Sequence, residues 1–454
     1  MTWLGIDVGT TNTKACLWPQ RRVLSAATPA TAGELVATTM KLVAEITAGQ
    51  RIEGVGIAGM AETGVPLGAA YEPLTGLISW RDQPGVEQAA RLDEELGPRE
   101  LYARTGLRLS PKLPLTTWRW LADTTDVLPR TRLWAGAPDL VLAALTGRYA
   151  THLTHAQRYG VLDLRRRTWD DELLAWGGLD RLPEIAEPMT VAGHTIAGPL
   201  PTGVPVVLCG HDHLVGAWAA GVREPGQVAD SLGTSEAVIT PSAELVIDDE
   251  LRSHGISVGW YADGRRGVAV SGHAAAGGLV DQRLTHFERD YDWLVGVLEP
   301  LGPPSEQVVM PYPTGRQAPM PDSTPSYDVR SPAADPAAEL RALVDGLSFH
   351  ARWMAEEQTR LLGIDWQDTV AFGGPTRLAG WMRRKALAGG GRGFAVVEGE
   401  AVAAEGAALM AAEVVSGRRS QALRGNPVRI SQALSRTWDG FFWDRFHKVV
   451  TAVG

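Results

Sequence analysis

Short apolar runs alternate with amphipathic stretches along most of this chain. Runs bounded by glycine or polar residues, such as Trp3–Val8, Gly54–Ala58 and Val204–Cys209, predict buried strands. The segment Glu34–Thr47 carries leucine, valine and isoleucine at the spacing of one helical face, which predicts a helix. Such alternation of strands and helices favours an α/β fold in which helices pack on sheets.

The same order of elements returns in the second half of the chain. Strands are predicted at Gly226–Ala229, Glu236–Thr240 and Gly267–Ser271, a long helix at Ala337–Leu362, and another strand at Thr369–Phe372. A chain of 454 residues exceeds the size at which one core usually stops growing. We therefore expect two domains, at 1–222 and 223–454.

Two later segments have unusual compositions. Glu400–Val415 is rich in alanine, which allows its backbone to pack closely against a neighbouring element. Pro300–Asp335 is rich in proline and polar residues, which predicts a surface loop or an extended excursion near a cleft.

Composition narrows the class of protein. A formal net charge of −9 and a pI near 5.6 exclude a generally basic surface, so nucleic acid is not an expected partner. No uninterrupted apolar run reaches the roughly 18 residues of a membrane span. Cys16 and Cys209 lie in apolar segments, and we expect them to be buried thiols. We also expect a cytoplasmic protein without a secretory signal. The aromatic stretch Trp438–Phe446 could pack internally or on a partner, as in a homodimer.

The opening segment is typical of a turn that holds phosphate. In the first phosphate loop, Asp7–Lys14, a glycine turn exposes backbone N–H groups, and Thr10 and Thr11 add hydroxyl donors. Lys14 could reach a phosphate as a point charge, and Asp7 suits Mg²⁺ held through water. Taken alone, the segment is equally compatible with a tight hairpin capped by an aspartate.

A similar sequence motif occurs near the middle of the chain. In the second phosphate loop, Asp230–Glu236, the pair Gly233-Thr234 follows an apolar run that ends in an acid. Two such turns, one in each half, predict a pair of phosphate-binding loops that face each other across a cleft.

Asp212 is the candidate catalytic carboxylate. It follows an apolar run and precedes a predicted helix from Leu214, so it could accept the proton of a hydroxyl that attacks phosphorus. A plain helix N-cap is the structural alternative. His211 and His213 flank it, so a metal site is a further alternative, although adjacent residues rarely surround one ion.

A third group of residues is suited to a carbohydrate. Glu62 follows the strand Gly54–Ala58, and an ionised carboxylate accepts several hydroxyl hydrogen bonds. Trp80 and Asp82 lie shortly downstream and offer a stacking face and another acid. Each of these residues, taken singly, is more often structural.

Together these segments resemble the FGGY family of carbohydrate kinases, in the superfamily of actin, hexokinase and the heat-shock chaperone ATPases. The resemblance runs from Trp3 to about Ala412 and includes both phosphate loops and Gly210-His211-Asp212. It also includes Phe372-Gly373-Gly374, which is similar to the adenosine motif, and Glu398–Ala412, which is similar to the closing helix. It implies two duplicated domains of the actin and ribonuclease H type with a catalytic cleft between them.

The resemblance also implies roles for individual residues. Asp212 is expected to deprotonate the acceptor hydroxyl, and Glu62 to bind acceptor hydroxyls. The nucleotide-binding residues implied are Thr10, Thr11, Asn12, Lys14, Gly233, Thr234 and Gly374.

Some positions depart from the family pattern. The arginine that precedes the acid in the glycerol kinase branch is Ala61 here, and the Gln-Met-His of xylulokinases is absent. Lys112 replaces the tyrosine of a substrate-side Ser-Pro-Tyr, and it could favour a negatively charged acceptor. Pro375 and Arg377 replace smaller residues after the adenosine glycines.

The expected function is ATP- and Mg²⁺-dependent phosphorylation of a hydroxyl, a primary one, of a sugar or polyol. An exopolyphosphatase-like hydrolase would need no acceptor residues such as Glu62 and Trp80. A non-enzymatic ATP switch would need no base such as Asp212. The sequence does not identify the sugar.

Overall fold

The structure is a computed structural model that describes residues 1–329, 335–399 and 401–452. Strands and helices alternate along the chain, as the sequence predicts. The strands are β1 Thr2–Val8, β2 Asn12–Trp18, β3 Arg22–Ala27, β4 Ile52–Gly59, β5 Gly64–Leu67, β6 Leu133–Gly136, β7 Ala150–His152, β8 Leu162–Asp163, β9 Thr168–Trp169, β10 Glu184–Ala186, β11 Gly193–His194, β12 Pro205–His211, β13 Gln227–Leu232, β14 Glu236–Ser242, β15 Ser257–Trp260, β16 Gly267–His273, β17 Asp368–Phe372, β18 Gly393–Val397 and β19 Asn426–Pro427.

Helices connect the strands and cover the sheets. The α-helices are α1 Ala32–Thr47, α2 Val86–Glu95, α3 Pro98–Thr105, α4 Pro114–Thr124, α5 Ala137–Thr146, α6 Leu153–Ala156, α7 Asp171–Gly177, α8 Asp212–Ala219, α9 Asp249–Ser253, α10 Ala276–His286, α11 Tyr291–Leu298, α12 Pro336–Leu362, α13 Ala379–Ala388, α14 Val402–Ser416, α15 Gln432–Phe441 and α16 His447–Thr451. Short 3₁₀ turns occur at Leu128–Arg130 and Gly374–Arg377, and a π-helical turn at Phe442–Phe446.

The fold is built on two large sheets, and their strands are connected in a similar order. The first has the order β11-β12-β4-β1-β2-β3, and the second the order β15-β16-β14-β13-β17-β18-β19. In the first, β1–β2 and β2–β3 are antiparallel, while β4 is parallel to β1 and β12. In the second, β13–β14 and β14–β16 are antiparallel, while β17 is parallel to β13 and β18. A shared meander followed by two parallel strands indicates the duplicated unit that the sequence predicts.

Helix α14 packs very closely on the first sheet, although along the chain it lies between β18 and β19 of the second sheet. A Cβ at Gly5 would lie 1.8 Å from the Ala404 carbonyl oxygen, and one at Gly56 would lie 2.0 Å from that of Ala407. Only glycine on the strands and small residues on the helix allow this approach. The predicted close packing of the alanine-rich segment is therefore confirmed, except that Glu400 lies outside the described residues.

A mostly helical lobe is inserted between β4 and β12. Its core holds Trp118, Trp134 and Tyr159, each at most 2% exposed, and their rings meet edge to face. Trp118 thus has the core role that is usual for tryptophan in an amphipathic helix.

The segment before α12 is an extended excursion that is partly buried. Tyr312 is buried, and its hydroxyl lies 2.8 Å from Nδ1 of His350 on α12. A purely surface loop is therefore wrong for this part, because an aromatic ring with a hydrogen-bonding partner fixes the chain inward. Residues 330–334 of the predicted loop lie outside the described residues.

The C-terminal aromatic stretch packs mainly inside the molecule. Trp438, Phe442 and Phe446 are buried against Phe349 of α12, whereas Trp443 is 43% exposed. In the described part of the chain, no helix has both the length and the apolar character needed to cross a membrane.

Candidate active site

The first phosphate loop is a tight turn between β1 and β2. Asp7 and Lys14 face each other in the antiparallel register, and Thr10 and Thr11 occupy the turn. A Cβ at Gly9 would lie 2.7 Å from the Asn12 carbonyl oxygen, so the turn needs glycine there. The local structure is the predicted hairpin, and its phosphate contacts remain a prediction.

Asp212 lies at the start of α8, directly after β12. Its Oδ1 accepts a hydrogen bond from the His213 backbone N–H at 2.7 Å and lies 3.4 Å from Nε2 of His211. The helix begins at this residue, two positions before the predicted start, and the N-cap is His211. Asp212 is therefore the first helical residue and does not serve as the cap.

The carboxylates of Asp7 and Asp212 lie close enough to affect each other. Burial and the negative charge of Asp212 raise the pKa of Asp7 to about 7, although Lys14 acts in the opposite direction. Burial also acts to raise the pKa of Asp212, but His213 and His211 hold it below its usual value. Two residues that the sequence singles out separately thus meet in one place.

These two carboxylates fit a hard divalent cation. Oδ1 of Asp7 is buried and has no hydrogen-bonding partner among the described residues. Mg²⁺ favours carboxylate oxygen and usually keeps several waters, so a buried carboxylate oxygen without a partner, together with a second acid, is a suitable donor set.

His213 connects the candidate base to the second half of the chain. Its Nδ1 lies 2.8 Å from the hydroxyl of Ser231, which is on β13 within the second phosphate loop. Ligand atoms of His211, Asp212 and His213 lie within 4.8 Å of one another, so the geometry alone also permits a metal triplet. Burial lowers the pKa of His211 well below 6.5, so its imidazole is neutral near pH 7.

The second phosphate loop rests against the start of α10. The N–H groups of Gly277 and Gly278 donate to the carbonyls of Gly233 and Thr234 at 3.1 and 2.9 Å. A Cβ at Gly277 would lie 2.3 Å from the Gly233 carbonyl oxygen. Sequence reasoning missed this support, for which the paired glycines at a helix start were the available signal.

The adenosine motif lies beside the same loop. Gly373 has φ +112°, and a Cβ there would lie 2.0 Å from the Leu232 carbonyl oxygen. At Gly374 a Cβ would meet no atom within 4 Å, so this backbone is open to a ligand. Pro375 contacts the start of α10, with its Cγ 3.4 Å from a Cβ built at Gly277. The predicted nucleotide residues of the second half are therefore neighbours.

A buried ion group joins the second phosphate loop to helix α13. Nζ of Lys385 on α13 lies 2.7 Å from Oδ2 of Asp230 and also contacts Oε1 of Glu236. Burial and Asp230 raise the pKa of Glu236 to about 8, so this carboxyl is protonated at neutral pH. The group ties both strands of the second phosphate loop to the helix that follows the adenosine motif.

On the acceptor side, Glu62 has two cationic neighbours. Nε and Nη2 of Arg158 donate to its Oε1 at 2.9 and 2.6 Å, and Nζ of Lys112 lies 3.8 Å from the same oxygen. We call Glu62, Lys112 and Arg158 the acceptor cluster. Burial would raise the pKa of Glu62, but Arg158 and Lys112 hold it below its usual value. Burial lowers the pKa of Lys112, and Glu62 opposes that effect.

Trp80 and Asp82 differ in burial and in their contacts. The indole Nε1 of Trp80 donates to Oγ1 of Thr10 at 3.0 Å, so this ring contacts the first phosphate loop. Asp82 is exposed, and its carboxylate accepts from the Ser79 backbone N–H at 2.8 Å. Its role toward an acceptor stays a prediction.

Sequence comparison finds similarity to carbohydrate kinases. A family model described as the FGGY family of carbohydrate kinases, N-terminal domain, matches residues 29–219. Gluconokinase of Bacillus subtilis (strain 168) is 22% identical over 388 residues, which cover 76% of this chain and 75% of that protein.

Solved structures share the fold over nearly the whole chain. A xyloylose kinase from Brucella ovis matches with a TM-score of 0.88 and 23% identity, over 100% of this chain and 99% of that chain. A gluconate kinase from Lactobacillus acidophilus matches with a TM-score of 0.87 and 19% identity, over 99% of this chain and 97% of that chain. The two-domain α/β architecture is therefore the same.

Proposed function

We propose that this chain is a carbohydrate kinase of the FGGY family, and that it phosphorylates a primary hydroxyl with Asp212 as general base. The phosphoryl donor is ATP and the acceptor is a sugar or polyol. The observation that supports this most strongly is the position of Asp212. It directly follows β12, and β4 pairs with both β12 and β1, the strand that leads into the first phosphate loop. The next residue, His213, lies 2.8 Å from the Ser231 hydroxyl of the second phosphate loop.

Each half contributes to the proposed site. We assign 1–222 to the domain with the acceptor cluster, the first loop and the base, and 223–454 to the domain with the second loop and adenosine motif. Backbone N–H groups and the hydroxyls of Thr10, Thr11 and Thr234 would hold the phosphates, with Asn12 and Lys14 beside them. Closure of the halves would exclude the water that otherwise hydrolyses ATP.

The chemical step requires mainly positioning and one proton transfer. The acceptor oxygen forms a bond to the γ-phosphorus while its proton passes to the Asp212 carboxylate, and ADP leaves with the electron pair of the broken P–O bond. The low pKa of Asp212 keeps this carboxylate ionised before the reaction. Asp7, with Asp212 beside it, would hold Mg²⁺, which supplies positive charge to the phosphates.

The test is acceptor-dependent release of ADP. Pentoses, hexoses, polyols, cyclitols, ketoses and sugar acids are screened with ATP and Mg²⁺, beginning with xylulose and gluconate, the acceptors suggested by the relatives' names. We expect ADP in equal amount to a phosphorylated product, with the ³¹P signal coupled to a CH₂ group. Equal ADP release with and without acceptors would contradict the proposal and indicate a hydrolase.

A further inference from the structure

The acceptor cluster contains one more positive than negative charge. Glu62 is its only acid, and both Arg158 and Lys112 point to the same oxygen of that acid. The three side chains are 8, 14 and 32% exposed, in the order Glu62, Arg158, Lys112. A partly buried cation is stabilised when an anion pairs with it, so this surplus charge suits an anionic ligand.

Arg158 and Lys112 also have hydrogen-bond donors that Glu62 does not use. Arg158 uses Nε and Nη2 for Glu62, and its Nη1 has no hydrogen-bonding partner within the described parts of the chain. Lys112 is too far from Glu62 for an ordinary hydrogen bond, so its ammonium group can turn to a ligand. Oε2 of Glu62 likewise has no partner in the part of the chain that the structure describes, and it can accept from a hydroxyl.

The cluster lies beside the candidate base. Nε2 of His211 lies 3.4 Å from Oδ1 of Asp212, and the ring centroids of His211 and His155 are 6.4 Å apart. The backbone carbonyl of His155 accepts a hydrogen bond from the Arg158 N–H at 2.8 Å. A ligand held by the cluster would therefore have another of its groups near Asp212.

We propose that the acceptor is a polyhydroxy carboxylate of the aldonate type, with its carboxylate bound by Lys112 and Nη1 of Arg158. This inference rests on the kinase function proposed above. Glu62 then has two tasks, to orient Arg158 through Oε1 and to bind an acceptor hydroxyl through Oε2. A monoanion balances the single surplus charge, whereas a phosphate dianion would leave the site negative beside Asp7 and Asp212.

The experiment compares acceptors that differ only in charge. Aldonates of four to six carbons are each paired with the alditol of the same length and configuration, and sugar phosphates form a third set. Charge-assisted hydrogen bonds contribute roughly 1.5–3 kcal/mol, so we expect kcat/KM for the preferred aldonate to exceed that for its alditol by about 10–150-fold. This comparison uses the wild-type protein and does not depend on the folding of any variant.

Variants then locate the binding site. Lys112→Met should raise KM for the aldonate and reduce the aldonate-to-alditol preference by about tenfold or more, with a smaller change in kcat. Arg158→Gln should do the same. Lys41→Met removes an exposed lysine of α1 that is not part of the cluster, and it should retain the wild-type preference.

The outcomes separate this inference from the proposed function. If no acceptor of any class is phosphorylated, the kinase function itself fails. If alditols, ketoses or sugar phosphates are turned over as well as aldonates or better, the carboxylate assignment is overturned while the kinase function stands. An aldonate preference that Lys112→Met and Arg158→Gln leave unchanged would overturn the assignment of these residues.

Discussion

At the scale of single residues, Trp80, which the sequence predicts to bind the acceptor, contacts the first phosphate loop. Its indole N–H donates to the Thr10 hydroxyl, so the ring cannot move without affecting that loop. The sequence predicts a stacking face for an acceptor here. The hydrogen bond indicates an additional role in positioning Thr10.

Replacing Trp80 by Phe keeps a ring face and removes the donor. A neutral hydrogen bond is worth about 0.5–1.5 kcal/mol, so we expect KM for ATP to rise by roughly 2–10-fold in steady-state assays. Trp176→Phe is a matched control, because it also removes an indole hydrogen bond, to Glu95, in the helical lobe. A rise in KM for the acceptor alone would show that Trp80 serves only the acceptor.

Candidate site residues that belong to a sequence motif could be predicted. Site residues that only the fold brings close to those motifs could not. Asp7 lies near the end of β1 and Asp212 directly follows β12, positions that the apolar pattern indicates, but only the structure shows that the two carboxylates affect each other. Arg158 lies 96 positions from Glu62 and belongs to no motif, so only the fold reveals their ion pair. That pair also alters the prediction for Glu62, since one of its oxygens binds a cation of the protein.

At the scale of elements, β13, β14 and α13 are held together by Lys385, Asp230 and Glu236. One ammonium group cannot balance the charges of two buried carboxylates, and burial together with the charge of Asp230 raises the pKa of Glu236. The unfolded chain ionises Glu236 at its ordinary pKa of 4.5, whereas the folded chain does so at about 8. The free energy of unfolding contributed by this group is therefore full below pH 4.5 and is lost as the pH rises through 8.

Glu236→Gln tests this linkage. Glutamine cannot ionise, so the variant should lose less thermal stability than the wild-type protein between pH 5.5 and 8.5, and the two melting temperatures should converge at the acidic end. The measurement is thermal unfolding by circular dichroism across that range. Asp292→Asn, on an exposed turn of α11, controls for a general change in charge. Parallel pH profiles for Glu236→Gln and the wild-type protein would refute the assignment.

Element positions follow closely from apolar periodicity, and their ends less so. Helix α12 is predicted from Ala337 to Leu362 and spans Pro336–Leu362, because its apolar face is long and regular. Helix α8 begins two residues earlier than predicted, since its first turn carries the polar residues Asp212 and His213. The buried part of the excursion before α12 was missed because Tyr312 packs against a partner that no local pattern indicates.

At the scale of the whole molecule, the duplication is the feature that the sequence indicates best. Two phosphate loops in similar positions of the two halves predict two similar domains, and the common strand order of both sheets confirms them. The packing of α14 could not be predicted from the sequence. This helix belongs to the second half of the chain but packs on the sheet of the first half, and no local pattern indicates that partner. The boundary between 222 and 223 stays a prediction, and one hydrophobic cluster contains residues of both sheets.

The central claim is that Asp212, between the two halves, removes the proton of the acceptor hydroxyl. The most direct measurement is the turnover of Asp212→Asn together with its affinity for ATP by calorimetry, with the exposed Asp93→Asn as control. We predict that kcat falls by roughly 10²–10⁴-fold, the usual contribution of a general base, while the Kd for ATP stays within about threefold. Turnover that is undiminished in Asp212→Asn, at equal ATP affinity, would contradict the claim and remove Asp212 from the mechanism.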